Sequence, residues 1–310
     1  REVFDNTLLE AAREAGAKIF TDTRVSDVQF NGGVTVSTTK GDLRAQMAIG
    51  AMGPNDKLAQ MVRKTRGVRP WNDGEIGTAL MWEPDVGREF MERAYGQKRS
   101  LLVHFRPAGI EGYGWVFPKD TTLNIGFGGY NRTIKSINVR EIWMNYLELL
   151  RKDGYFPKKD PDPPVKGAPL PLAGPLRATT MERTLIVGDS AGMVSPLSGE
   201  GIYYGMHAGK LAVETIQQAL ASGDFSQQAL DSYHRAWYRT FGQELKDLSF
   251  FAKLALKFPE RMVYYGTRDQ QTCEIFADLF LGVTPGGLGK RRPIARTLRN
   301  IIRYPYFGWG

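Results

Sequence analysis

The sequence has few of the residues that staple small proteins or hold metals. Its 310 residues include one cysteine, Cys273, which excludes an internal disulfide framework and any multi-cysteine zinc or iron–sulfur site. Histidine is scarce as well. His104, His207 and His234 lie far apart and no HExxH occurs, so no histidine-built metal site is expected. No apolar run approaches the roughly 18–20 residues of a membrane-spanning helix. No signal-peptide pattern, repeat or low-complexity tract is visible. Neither sign of charge dominates: Lys+Arg 41 against Asp+Glu 33 leaves +8, a mild basic excess that nucleic acid, anionic lipid or a phosphorylated substrate would each explain. At 42% hydrophobic and 24% charged residues the chain can build a core, which excludes wholesale disorder. Its length allows two domains, or one large domain with an insertion.

The residues that are there mark out an order of elements. Residues 3–15 carry Phe4, Leu8, Ala11, Ala12 and Ala15 on one helical face, with Gly16 placed to end the helix. Short strand-like runs follow at 18–20, 24–30 and 34–39, and Asn31-Gly32-Gly33 between the last two predicts a hairpin. A further single run is expected over 43–53. From about residue 67 the strand-like segments 75–83, 100–105, 112–118 and 122–130 are rich in aromatics and glycine, and a helix is expected over 139–151. Seven of the 17 prolines crowd into 157–175, which reads as an extended connection between domains. A buried strand at 184, a helix over about 201–221, a longer helical stretch over about 226–256 and a helical tail in two pieces over 272–303 complete the chain.

The stretch with most chemical content is 184–209, TLIVGDSAGMVSPLSGEGIYYGMHAG. It reads strand, Gly-Asp, a loop of small residues, Gly-x-Gly, helix. Gly188 would let a flat group approach the backbone, and Asp189 sets a carboxylate at the end of a strand, able to accept hydrogen bonds from sugar or ribityl hydroxyls. Gly199 and Gly201 leave backbone N–H groups open at the start of a helix, which suits a partial negative charge. A tight strand-to-helix crossover would use the same glycines. Gly188 to Gly192 also fits the G-x-S-x-G elbow of serine hydrolases, with His234 downstream. That elbow needs a helix directly after the serine, whereas Pro196, Ser198, Gly199 and Gly201 delay it here. Gly126 to Gly129 has no helix after it, so it is not a dinucleotide fingerprint. Gly286 to Lys290 has Arg291 where a P-loop needs Ser or Thr.

Three pieces of the chain together resemble the FAD-dependent geranylgeranyl reductases. They are Arg1-x-x-Phe4-Asp5 with Leu8 and Gly16; Tyr113-Gly114-Trp115-Val116-Phe117-Pro118-Lys119 with Asn124 to Gly128; and Gly188-Asp189 through Gly201-Ile202. The likeness runs to about residue 225. It implies an α/β (mixed α+β) fold: a glutathione-reductase-type FAD-binding domain in two parts (1–66 and 176–225), an inserted antiparallel substrate-binding sheet (67–175), and a C-terminal helical region (226–310). The family opens with a strand–GxGxxG–helix unit that supports the cofactor pyrophosphate, and no GxGxxG precedes residue 50. The expectation is a sequence that begins after its first βαβ unit. Another departure lies at 51–56, where the family has Ala-Asp-Gly-x-x-Ser. Met52 stands in place of the aspartate and Asp56 in place of the serine.

The resemblance further implies FAD contacts at Arg1, Val25, Gly188, Asp189, Gly201 and Ile202. Tyr113, Trp115, Phe117, Pro118, Lys119, Gly126 and Gly128 would line the substrate site. The reaction implied is reduction of C=C bonds in a polyprenyl lipid, quinone tail or prenyl diphosphate, with NAD(P)H or ferredoxin as electron donor and no nucleic acid partner. The expected location is cytoplasmic, at the periphery of a membrane. Read on residues alone, the 113–117 aromatics also suit an ordinary sheet core, Lys119 either pairs with a phosphate or is solvated, and Glu200 suits a helix cap as well as a flavin edge. The basic, aromatic segment 289–309 fits an interfacial membrane contact or a helix packed on the fold. His207 is expected to be packed or exposed, and Cys273 to be a buried small hydrophobe. A flavin hydroxylase on the same fold and a flavin-free lipid-binding chain are the alternatives.

Overall fold

The computed structural model describes residues 2–158 and 166–281. The chain forms two compact units that meet at Ala48/Ile49. In the first, α1 (Glu2–Glu14) precedes an antiparallel ribbon of β1 (Val25–Phe30), β2 (Val34–Thr38) and β3 (Gly41–Ala45). The expected hairpin forms: Phe30 pairs with Val34 across Asn31-Gly32-Gly33. The run at 18–20 forms no strand. At three residues it is too short to hold a ladder without a partner run.

β4 (Ala48–Gly50) runs across that boundary and joins a different sheet from β3, so the single run expected over 43–53 is divided between two sheets. Next come α2 (Lys57–Thr65), β5 (Ile76–Trp82), α3 (Arg88–Tyr95), β6 (Leu102–Phe105), β7 (Gly112–Pro118), β8 (Leu123–Tyr130), α4 (Asn131–Ile134) and α5 (Val139–Lys152). They are followed by β9 (Lys166–Pro171), β10 (Thr180–Met181), β11 (Thr184–Ile186), α6 (Ile202–Ser222), α7 (Gln227–Trp237), α8 (Gln243–Lys257), α9 (Pro259–Arg268) and α10 (Gln270–Leu281). Five strands form an antiparallel sheet in the order β6-β7-β8-β5-β9, and a small sheet runs β10-β11-β4. The proline-rich connection thus contributes an edge strand. An edge position tolerates Pro169 and Pro171, because it needs ladder hydrogen bonds on one side only.

The large sheet buries one face. Val116, Leu123, Ile125 and Phe127 pack with Trp143, Tyr146, Leu147 and Leu150 of α5 in one apolar cluster. These α5 positions recur at helical spacing, and Asn138 caps the helix by accepting from the Glu141 amide. The helical stretch after 226 is interrupted by a π-turn, Tyr238–Gly242. A Cβ on Gly242 would come within 2.7 Å of the Trp237 ring, so only glycine lets Trp237 stack there. Cys273 is exposed, contrary to the expectation of burial. In α10 it is the neighbouring Thr272 that turns inward, its hydroxyl donating to Asp269 at 2.5 Å. The segment 289–309 lies outside the described residues. Among those described, no helix is long and apolar enough to cross a membrane.

Two outcomes test this packing. A Cβ on Gly112 would fall 1.8 Å from the Gly128 carbonyl oxygen, in backbone that cannot yield. Gly112→Ala is expected to cost about 1–3 kcal/mol in urea denaturation, and an unchanged midpoint would contradict the register of β7 on β8. The second concerns pH. Burial holds the imidazoles of His104 and His234 below their ordinary value; Asp153 opposes this at His104, and at His234 Asp231 opposes it while Arg66 and Arg235 add to it. With the folded value depressed, the stability these groups contribute is complete above the unfolded imidazole pKa of about 6.5 and is lost as pH falls through the folded value. The denaturation midpoint should drop between about pH 7.5 and 5.5, and His234→Asn should flatten that slope.

Candidate functional site

The small sheet delivers the chain into a turn that few side chains would permit. The Val187 amide donates to the Gly50 carbonyl at 2.9 Å, and Gly188 then adopts φ +57 at the start of a 3-10 turn, Gly188–Ala191. Gly188 also faces Gly205 of α6, whose Cα would lie 3.7 Å from a Cβ added at Gly188. The loop is closed by backbone bonds from Met193 to Gly188 and from Ser195 to Glu200, at 3.0 and 2.7 Å. Gly201 precedes α6, and the Glu200 carboxylate accepts from the Tyr203 amide at 2.8 Å. Glu200, one residue before the N-cap Gly201, thus satisfies one amide of the first helical turn. No described residue accepts from the amides of Gly201 and Ile202, which open the positive end of a 21-residue helix. Asp189 lies alongside: a Cβ at Gly201 would stand 3.1 Å from its Oδ1. Ile202 is 42% exposed. Carboxylate, glycine cradle and helix N-terminus are thus brought together at one place.

Asp56 fixes that place from behind. It caps α2, its Oδ1 accepting from the amides of Leu58 and Ala59 at 2.7 and 3.3 Å. Its Oδ2 accepts from the Met52 amide at 3.0 Å and the Ser190 hydroxyl at 2.7 Å. The charge displaced by four residues in sequence therefore returns to the Met52 backbone in space. Ser190 is fully buried and donates to Asp56 and Gly53, while His234 bonds Thr179 at 3.1 Å. Ser190 does not stand at an elbow, and no nucleophile–base pair forms with His234. His207 packs between Tyr203 and Phe241.

The second component is the face of the large sheet that α5 does not cover. Tyr113, Trp115 and Phe117 alternate along β7 on that face, half-buried, with ring centroids 5.7 and 6.1 Å apart. Their cross-strand partners on β8 are Gly128, Gly126 and Asn124. Beyond these lie Ala79 and Met81 of β5, and Ala168 pairs with Ala79. Large rings on β7 thus stand beside Gly128, Ala79 and Ala168 at the Tyr113 end, which makes a ridge with lower ground next to it. The Trp115 indole lies across Gly126, where a Cβ would come 2.2 Å from Cζ2, and its Nε1 donates to Asn124 at 2.7 Å. The aromatic run is therefore not the sheet core, which lies on the opposite face.

The two components touch. The Tyr113 hydroxyl donates to the Ser198 carbonyl, and burial pushes its phenol pKa up, which keeps that proton in place. A Cβ on Gly199 would meet both Tyr113 and Leu170 at 3.7 Å. At the other end of the ridge Pro118 pairs with Leu123, and Lys119 forms an ion pair with Glu83. Val25 begins β1 in the other unit, and Arg1 is outside the described residues. Sequence reasoning missed Asp56 as an anchor. Its signal was an Asp directly before the amphipathic run at 57–65.

No family model matches the chain. It is 30% identical over 251 residues to the digeranylgeranylglycerophospholipid reductase of Methanocaldococcus jannaschii, covering 76% of this chain and 59% of that protein. To the enzyme of the same name from Methanosphaerula palustris it is 31% identical over 245 residues, 76% of this chain and 58% of that protein. The chain thus spans about three-fifths of the length of these curated relatives. Among solved structures it superposes on a geranylgeranyl bacteriochlorophyll reductase-like protein of Thermoplasma acidophilum with a TM-score of 0.68 and 23% identity, covering 83% of this chain and 63% of that one. It also superposes on the halogenase PltM in complex with phloroglucinol and FAD, with a TM-score of 0.58 and 17% identity over 95% of this chain and 62% of that one. The fold is the mixed α/β fold of such FAD-dependent proteins, with an antiparallel sheet and C-terminal helices. In sequence the chain is similar to the digeranylgeranylglycerophospholipid reductases, and its fold is that of a geranylgeranyl bacteriochlorophyll reductase-like protein.

Proposed function

We propose that this chain acts in the FAD-dependent reduction of C=C bonds in polyprenyl chains. The observation that carries the reading is the contact of two unlike surfaces: the open amides of Gly201 and Ile202, and an aromatic ridge in reach of the same loop through Tyr113 and Ser198. In this reading residues 1–66 and 176–225 form the flavin domain, 67–175 the substrate sheet and 226–310 the helical region. The residues fit a flavin. Gly188 and Gly201 keep side chains out of the cradle, Asp189 offers a carboxylate for ribityl hydroxyls, and the α6 N-terminus suits the electron-rich edge of a reduced ring. Arg1 and Val25 are proposed to contact the same cofactor.

Bound FAD would supply a hydride to one alkene carbon while a proton goes to the other, and NAD(P)H or ferredoxin would return the electrons. The chain's own contribution is placement. Tyr113, Trp115 and Phe117 give flat apolar walls that lose few rotamers on binding, beside the small residues Gly128, Ala79 and Ala168. Pro118 and Lys119 close the far end of the ridge, where Glu83 holds the lysine. Substrates of this kind are named in the relatives, which are digeranylgeranylglycerophospholipid reductases. The protein is proposed to work in the cytoplasm against a membrane surface that supplies its lipid.

The test is turnover of a geranylgeranyl lipid by the flavin-loaded protein with dithionite as reductant and oxygen excluded. Product mass should rise by two hydrogens for each double bond reduced. Trp115→Ala should raise KM about tenfold, equivalent to about 1.4 kcal/mol of lost apolar contact, with a smaller change in kcat. Incorporation of oxygen into product, or an unchanged KM, would contradict the reading.

A further inference from the structure

We propose that Arg63 is an oxyanion-binding residue, which takes a phosphate or carboxylate side-on along its Nε–Nη2 edge beneath Trp71. Arg63 lies in the last turn of α2 and is only 6% exposed. Its guanidinium carbon sits 3.6 Å from the centroid of the Trp71 ring. Both Nε and Nη2 are buried and donate to no described residue. The nearby acid does not satisfy them. All four donors to Asp56 are accounted for, two amides on Oδ1 and an amide and a hydroxyl on Oδ2. Asp56 lends Arg63 its field but no free lone pair, while burial weighs against the charged guanidinium.

A buried cation that lacks acceptors is costly to keep unless something outside the chain completes it. The orphaned atoms are informative in their pairing. Nε and Nη2 form one edge of the planar fork, the edge that meets two oxygens of a carboxylate or phosphate with parallel bonds. The location is informative too. Trp71 lies between this arginine and the 188–192 turn: a Cβ on Gly192 would come 3.1 Å from Trp71 Cζ2 and 2.7 Å from the Gly174 carbonyl oxygen. Trp71 is half-buried on the connection between α2 and β5, which sets Arg63 close to the proposed cofactor turn. The inference stands whether or not flavin binds, because it rests on Arg63 alone. The oxyanion has two available sources, a phosphate of the cofactor or the phosphate of a lipid or prenyl substrate.

The experiment measures melting temperature and Trp71 emission (wild type minus Trp71→Phe) for the full chain in chloride buffer. Wild type, Arg63→Met and Arg63→Lys are compared with and without inorganic pyrophosphate. Arg63→Met is expected to melt no lower than wild type in the absence of the anion. Pyrophosphate should stabilise wild type and alter Trp71 emission, with affinity about tenfold or more weaker in Arg63→Met and intermediate in Arg63→Lys. FAD against riboflavin, which has the ring without phosphate, tests the cofactor as source, and geranylgeranyl diphosphate tests the substrate. Equal pyrophosphate shifts in wild type and Arg63→Met would overturn the proposal. So would a loss of stability in Arg63→Met that is the same with and without the anion, since that marks a purely structural stack on Trp71.

Discussion

One buried carboxylate sets the geometry on which the rest depends. Asp56 gathers the Met52 amide, the first turn of α2 and the Ser190 hydroxyl onto two oxygens. Hydrogen bonds to an ionised group are among the stronger ones in proteins, and burial raises the cost of breaking any of them singly. The end of β4, the start of α2 and the 188–191 turn are thereby held as one piece. The turn leads through Gly201 into α6, so the direction of the open amides is fixed by a residue that itself never faces the cleft. Were Asp56 replaced by alanine, Ser190 would keep only the Gly53 carbonyl and the turn would lose its charged support. The same carboxylate, saturated by these four donors, is what leaves Arg63 without an acceptor.

The large sheet supplies the second constraint, an asymmetry between its faces. On one face Val116, Ile125 and Phe127 interlock with α5 and exclude water. On the other, rings on β7 stand beside glycine and alanine on β8, β5 and β9, and Trp115 is anchored by Asn124. A sheet that needed only a core would not place Gly126 where any side chain collides with an indole. Tyr113 links this face to the 188–202 loop with a proton that burial keeps in place. The proposed reaction, a polyprenyl chain laid beside a cofactor, draws on this juxtaposition.

Much of this was legible in the sequence because the relevant signals are local. The alternation of Tyr113, Trp115 and Phe117 sets a strand face, Asn31-Gly32-Gly33 sets a hairpin, and the Gly188 to Gly201 spacing sets a delayed helix. What escaped depended on partners distant in sequence. The run at 43–53 reads as continuous, yet the strands at 41–45 and 48–50 answer to different sheets. Prolines at 169 and 171 suggest a linker, but an edge of the sheet accepts them. The role of Asp56 required Ser190, 134 residues away, to be seen against it. Cys273 has an apolar character that favours burial, but the packing of α10 turns Thr272 inward instead.

The central claim is that the loop from Gly188 to Ile202 and the ridge at 113–117 serve one reaction. The most direct measurement is single-turnover flavin absorbance in the reduced, flavin-loaded protein under strict exclusion of oxygen, after addition of a geranylgeranyl lipid. The lipid alone should restore oxidised-flavin absorbance, at a rate that falls when Tyr113→Phe removes the link to Ser198. Absorbance that stays bleached until oxygen is admitted would contradict the claim.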